Sequence, residues 1–135
     1  DHERLGYETL VNVGELAPGT ERFPVEERHT LRDRPGLDAV LTGEGFVRTV
    51  DDGRVDDPGI MALLQRELRS EAAAPIVIGD AVWGVVWAST RDDGRILDHD
   101  DLATLHLVAE HAATAVTQAE RIAEFEELAL RDPLT

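Results

Sequence analysis

The sequence predicts an α+β fold, an antiparallel sheet flanked by helices, closed by one long C-terminal helix. Three observations carry that prediction. Residues 73–78 and 81–89 are apolar runs joined only by Gly79-Asp80, a pair that accepts the positive φ of a two-residue hairpin turn. Ile60, Leu63, Leu64 and Leu68 recur at helical spacing. Helical patterning then holds over residues 99–130 without proline or glycine. At 135 residues the chain has room for one domain with its own core.

The elements follow in order. Residues 7–14 (YETLVNVG) are rich in β formers and end in glycine, which predicts a strand. Residues 17–20 (APGT) turn the chain. Residues 21–35 are charged and proline-punctuated, a loop with a short extended piece at Phe23-Pro24-Val25. Residues 37–43 predict a short helix closed by Gly43, and residues 46–50 a second strand. Residues 51–54 (DDGR) and 56–59 (DDPG) carry turn chemistry. The helix built on Ile60, Leu63, Leu64 and Leu68 places Gln65, Arg66 and Arg69 on its polar side.

The hairpin follows. In its second strand Val82, Gly84, Val86 and Ala88 face one way, and Trp83, Val85, Trp87 and Ser89 the other. Both faces are mostly apolar, which predicts a central strand covered on both sides. Asp92-Asp93-Gly94 makes the exit turn, and Asp98 is the expected N-cap of the long helix, with Asp101 three positions on. At about 1.5 Å per residue this helix is roughly 48 Å long, more than a small domain is wide. Its first half is expected to pack on the sheet and the remainder to protrude. Leu105, Ala109, Ala112, Val116 and Ala119 form a 3-4 seam of mostly small residues, with Val108, Ala115, Ile122 and Ala129 beside it. Close helix approach through small residues makes a parallel homodimer the expected use of the second half, Ile122 included.

Composition limits the functions available. The net charge is −15, and no basic stripe interrupts it, so a phosphate backbone or an anionic membrane surface is not an expected partner. All 13 basic residues are Arg. No apolar run approaches the roughly 20 residues that span a bilayer, and the charged start is no signal peptide, so a cytoplasmic setting is expected. With Cys 0, disulfides, thiolate metal sites and thiol nucleophiles are impossible.

No catalytic constellation stands out, and none is expected in this segment. His106 and His111 are five apart, well round the helix from each other, unlike a metalloprotease pair. Capping explains His99 among Asp98, Asp100 and Asp101 more simply than a metal does. The acidic loop 51–57 lacks EF-hand spacing, there is no glycine-rich phosphate loop, and Ser89 has no evident base. No metal site is expected.

The order strand, loop, helix, strand, helix, hairpin, long helix resembles a GAF domain, within a GAF/PAS-like class of folds. The most specific stretch runs from Ser70 to Ile122: Ala74-Pro75-Ile76-Val77 leads through the turn into Gly79-Asp80-Ala81-Val82-Trp83-Gly84-Val85-Val86, similar to the family's hairpin. Ile96-Leu97-Asp98-His99-Asp100-Asp101-Leu102 resembles its helix entry, and residues 109–115 its alanine-rich closing helix. Relative to that family, an opening helix and first strand before Tyr7 are expected to be missing, which would expose a sheet edge. Arg131-Asp132-Pro133-Leu134-Thr135 resembles the entry to a GGDEF-type diguanylate cyclase domain. The resemblance divides the chain into a GAF domain over 1–116, a signalling helix over 117–131, and the start of a cyclase domain at 132–135.

The resemblance implies a cytoplasmic bacterial sensor in cyclic di-GMP signalling, itself without enzymatic activity. Its partners would be an unidentified small molecule, a second copy bound through the C-terminal helix, and the downstream cyclase. GAF domains bind small molecules between the sheet and the short helices, so Phe46, Arg48, Met61, Leu64, Leu68 and Trp87 are the expected pocket residues. Arg48, in an apolar strand, could meet a carboxylate or phosphate, or point to solvent from an edge. Covalent bilin attachment typically needs cysteine, and the methionine sulfoxide reductase branch works through it, so neither is expected. The Asn, Lys and Phe of the cyclic-nucleotide-binding constellation have no counterpart, and no histidine is favoured as a haem ligand. The alternatives left open are a ligand-free dimerisation scaffold and a PAS-type sensor with a different output.

Overall fold

The computed structural model describes residues 6–8, 28–30, 36, 40–52, 57–91 and 94–131. Its principal elements are β1 (Gly6–Glu8), β2 (Arg28–Thr30), β3 (Phe46–Thr49), α1 (Pro58–Gln65), β4 (Leu68–Ile78), β5 (Ala81–Arg91) and α2 (His99–Arg131). β1 and β2 form an antiparallel pair, and β3, β4 and β5 an antiparallel sheet in that order. The α+β class and the long closing helix are as the sequence predicts. β1 overlaps the strand expected at 7–14, whereas β2 lies in a stretch expected to be loop. The turn expected at 17–20 and the extended piece at 23–25 lie outside the described residues.

β4, not β5, is the central strand. Its residues 70–76 are buried without interruption, while Trp83 on β5 is 45% exposed. Ala72, Ala73 and Ala74 form the middle of β4, and their small side chains let elements approach both faces of the sheet. Strand alternation assigns those faces. On one, Ala74 and Ile76 pack with Val86, and with Leu102, Leu105, Ala109, Ala112 and Ala113 of α2. On the other, Val40 and Ala73 pack with Phe46, Val85 and Trp87. The hairpin turn is as expected, with Gly79 at φ 63° in the first central position, the conformation a type II′ turn requires.

α1 starts where turn chemistry was expected. Asp57 is its N-cap and accepts a hydrogen bond from Gly59 N–H at 2.7 Å, and Pro58 supplies the first turn, where its missing N–H costs nothing. Ile60 and Leu63 are buried, Leu63 completely. The helix ends at Gln65, earlier than the sequence predicts, because Glu67 adopts φ 59° and reverses the chain. Leu68 and Arg69 therefore open β4 rather than close α1.

A reciprocal pair of hydrogen bonds starts α2. Asp101 N–H donates to Asp98 Oδ1 at 3.0 Å, and Asp98 N–H donates to Asp101 Oδ2 at 2.9 Å. The backbone N–H of Asp101, first among several causes, holds the Asp98 carboxyl below its ordinary value of 3.8. Arg95 pairs with Asp101 beside the cap. With 33 residues, α2 is about 50 Å long. Its first half is built into the sheet. Thr117 is the last half-buried position, and from Gln118 onward all described side chains are exposed. Among the described residues, no helix is long and apolar enough to cross a membrane.

Candidate functional site

The sheet face opposite α2 carries the most unusual chemistry in the fold. β3 and β4 pair so that Phe46 lies opposite Ala73 and Arg48 opposite Glu71, and β5 continues the rows with Trp87 and Ser89. An apolar row and an ionic row therefore share one surface. Arg48 Nε lies 3.5 Å from Glu71 Oε1, and both side chains are largely withdrawn from water, at 16% and 11% exposure. The Arg48 guanidinium also stands over the Phe46 ring, 4.3 Å from its centroid.

Two glycines make room for that guanidinium. A Cβ at Gly36 would collide with Arg48 Nη2, and one at Gly59, on the first turn of α1, would collide with Arg48 Nη1 and Cζ. The planar group is thus held among Gly36, Gly59, Phe46 and Glu71, and it ties the sheet to the start of α1. A flat cation with several fixed donors suits such a slot better than an ammonium would. Chemically, the site offers a positioned guanidinium next to a carboxylate, against an aromatic ring: a group whose N–H donors suit an oxyanion, with Glu71 already beside its Nε.

Of the expected pocket residues, Phe46, Arg48 and Trp87 come together on this face. Met61 and Leu64 do not join them, being 45% and 52% exposed on the outer side of α1. Leu68 is displaced to the start of β4, opposite Arg91 and well along the strand from Ala73. Arg48 does not point to solvent from its edge strand; its partner is the chain's own Glu71. That glutamate lies between the helical spacing that ends at Leu68 and the apolar run that begins at Ala73, and only the β3–β4 register sets it opposite Arg48.

Ser70 also escapes a reading of the sequence. It is completely buried, and its Oγ lies 2.6 Å from Thr90 Oγ1 and accepts a hydrogen bond from Leu97 N–H at 3.0 Å. One hydroxyl thus joins β4 to β5 and to the segment that leads into α2. Movement of β4 would be felt at the start of the long helix through this contact as well as through Ala74 and Ile76.

The residues expected to form a dimer seam divide between two environments. Leu105, Ala109 and Ala112 pack on the chain's own sheet, and Val116 is half-buried. Ala119 and Ile122 are exposed, Ile122 at 61%. His106 is half-buried, with Nε2 close to Gly45, and His111 is exposed. Among the described residues, no group of three or more His, Asp or Glu side chains could hold a metal ion.

A family model for the GAF domain matches residues 4–117. Solved structures share the fold. The GAF domain of PixJ from Thermosynechococcus elongatus, in its blue-light-absorbing form, aligns with TM-score 0.59 and 13% identity over 87% of this chain and 71% of its own. The phycocyanobilin-bound GAF domain of a cyanobacterial phytochrome aligns with TM-score 0.57 and 18% identity over 77% of this chain. The match spans 64% of that domain, less than two thirds of it. The GAF domain of a two-component sensor histidine kinase from Bacillus halodurans aligns with TM-score 0.53 and 19% identity over 78% of this chain and 71% of its own. No curated protein matches the chain.

Proposed function

Because the chain belongs to the GAF domain family, we propose that it is a regulatory module that senses a small molecule and passes the signal through α2 to a following diguanylate cyclase domain. The observation that carries this reading is the division of α2. Its first half is part of the core through Leu105, Ala109 and Ala112, and its second half is a free lever. A ligand that binds one arrangement of the sheet better than another shifts the population, and a rigid helix reports the shift at its far end. The ligand enters on the face of Phe46, Arg48 and Trp87, and its anionic group competes with Glu71 for Arg48. None of these 135 residues is a cysteine that could form a thioether link, and the ligand of this reading is held non-covalently. Arg131-Asp132-Pro133-Leu134-Thr135 supports the cyclase as the output, and a second copy paired along α2 supplies the dimer geometry such an output uses.

Native mass spectrometry tests the reading, comparing folded and denatured masses of the purified chain. A folded species carrying extra non-covalent mass, lost in Arg48→Ala, is the expected result. A clean species that neither inorganic phosphate nor small carboxylates stabilise against heat overturns the sensing role. A second reading, a ligand-free dimerisation scaffold, is favoured by one observation: the slot is filled by the chain's own guanidinium. It predicts that Arg48→Ala lowers stability and leaves signalling in the full-length protein intact.

A further inference from the structure

The exposed side of α2 carries a second seam, distinct from the one that packs on the sheet. Val108, Ala115, Ile122 and Ala129 repeat every seven residues, and His111, Gln118 and Phe125 fall three positions after each of the first three. That spacing is the a/d pattern of a two-stranded coiled coil. All seven side chains are exposed, Val108 at 47%, Ile122 at 61% and Phe125 at 75%. At about 100° per residue the seam lies well round the helix from buried Ala109, so a partner helix could occupy it without disturbing the sheet.

We propose that this seam is the contact between two copies of the chain, which pair in parallel and in register along it. Pairing along α2 rests on the functional reading above; the face and the residues that fix the direction are new. Charge decides the occupant and its direction. The positions flanking the seam are Leu107, Thr114, Arg121 and Leu128 on one side and Ala112, Ala119 and Glu126 on the other, so Arg121 and Glu126 are the flanking charges. In a parallel dimer each first-side residue faces the second-side residue five positions later on the other helix. Arg121 of one copy then meets Glu126 of the other, twice by symmetry. An antiparallel pair would set each flank against its own kind and lose both contacts. Ala115 and Ala129 keep the helices close, while Ile122 and Phe125 supply most of the apolar contact. His111 and Gln118 are the polar members of the seam, and in a parallel pair each Gln118 amide can donate to and accept from its own copy.

The chain has no cysteine, so a single introduced thiol reports orientation cleanly. Phe125→Cys and Gln118→Cys, each at a position that faces its own copy in a parallel pair, are expected to give a disulfide-linked dimer on mild oxidation. Leu130→Cys, off the seam, is the control and is expected to crosslink at least tenfold more slowly. Sedimentation of Arg121→Glu and Glu126→Arg is expected to show association weakened several-fold in each, with recovery in the double variant. A dimer that persists without crosslinking at 125 or 118, or without charge-swap recovery, overturns the seam and its direction and leaves pairing itself standing. A monomer at every accessible concentration overturns both.

Discussion

Arg48 and Glu71 face each other across β3 and β4, Nε to Oε1 at 3.5 Å, in a slot that only the absence of side chains at Gly36 and Gly59 keeps open. The pair is mostly buried, so its geometry matters more than its charge alone. Removing one partner leaves the other with a desolvation cost it can no longer offset, reduced here by residual solvent contact and by a further interaction of Glu71. Arg48→Ala is expected to cost about 2 kcal/mol. Arg48→Lys should recover less than half of that, because an ammonium cannot lie flat against Phe46 and Glu71 together. Urea denaturation of the two variants measures the difference, and full recovery by lysine would show that charge alone suffices.

Gly59→Ala acts on the same slot from the other side. The added methyl displaces the guanidinium, so this variant should lower stability although alanine favours helix over glycine. Coupling with Arg48→Ala checks the cause: the two losses should be strongly non-additive, since both remove the same arrangement.

Ser70→Ala is expected to cost about 1–3 kcal/mol, because it leaves Leu97 N–H without its acceptor and Thr90 without its partner in a part-buried site. The loss should be local. Amide hydrogen exchange would quicken at residues 97–102 more than in the middle of β4; a uniform change would place the effect in packing rather than in the link to α2.

Acid should loosen the start of α2. The Asp98 carboxyl is held below 3.8 in the fold, so the unfolded chain binds its proton first as the pH falls. Its stabilising contribution is complete above the unfolded value and is lost as the pH drops through the folded one. Asp98→Asn keeps a capping oxygen and removes the titration. Thermal stability below about pH 4 should therefore fall more steeply for the natural chain than for Asp98→Asn, with parallel curves near neutrality.

Glu67 is the one described non-glycine residue with positive φ, at 59°. Glu67→Gly is expected to raise stability by up to about 1 kcal/mol by relieving that conformation, and Glu67→Val to lower it, as a branched side chain tolerates it least. A shift of the urea midpoint in either variant checks the sign.

The hairpin and α2 were legible because local patterns specify them: a turn that needs a glycine at positive φ, a capping pair three residues apart, and a long stretch free of helix breakers. The family resemblance rested on the same segments, and the matched residues 4–117 cover most of them. Less legible were the first part of β4, before the apolar run that starts at Ala73, and the end of α1. Leu68 extends a helical spacing, and Ser70, Glu71 and Ala72 carry little β propensity, so nothing local separates strand from helix there. Glu67 ends the helix without the glycine that usually marks such a point.

By itself, then, the sequence determined the class of fold, the long exposed helix and the exclusion of cysteine chemistry, because periodicity and composition act over a few residues at a time. Only the tertiary structure decided which strand is central and which face of α2 is already occupied. It also decided what Arg48 touches. Those depend on register, and register joins residues such as Arg48 and Glu71, or Ser70 and Leu97, whose proximity no local pattern encodes.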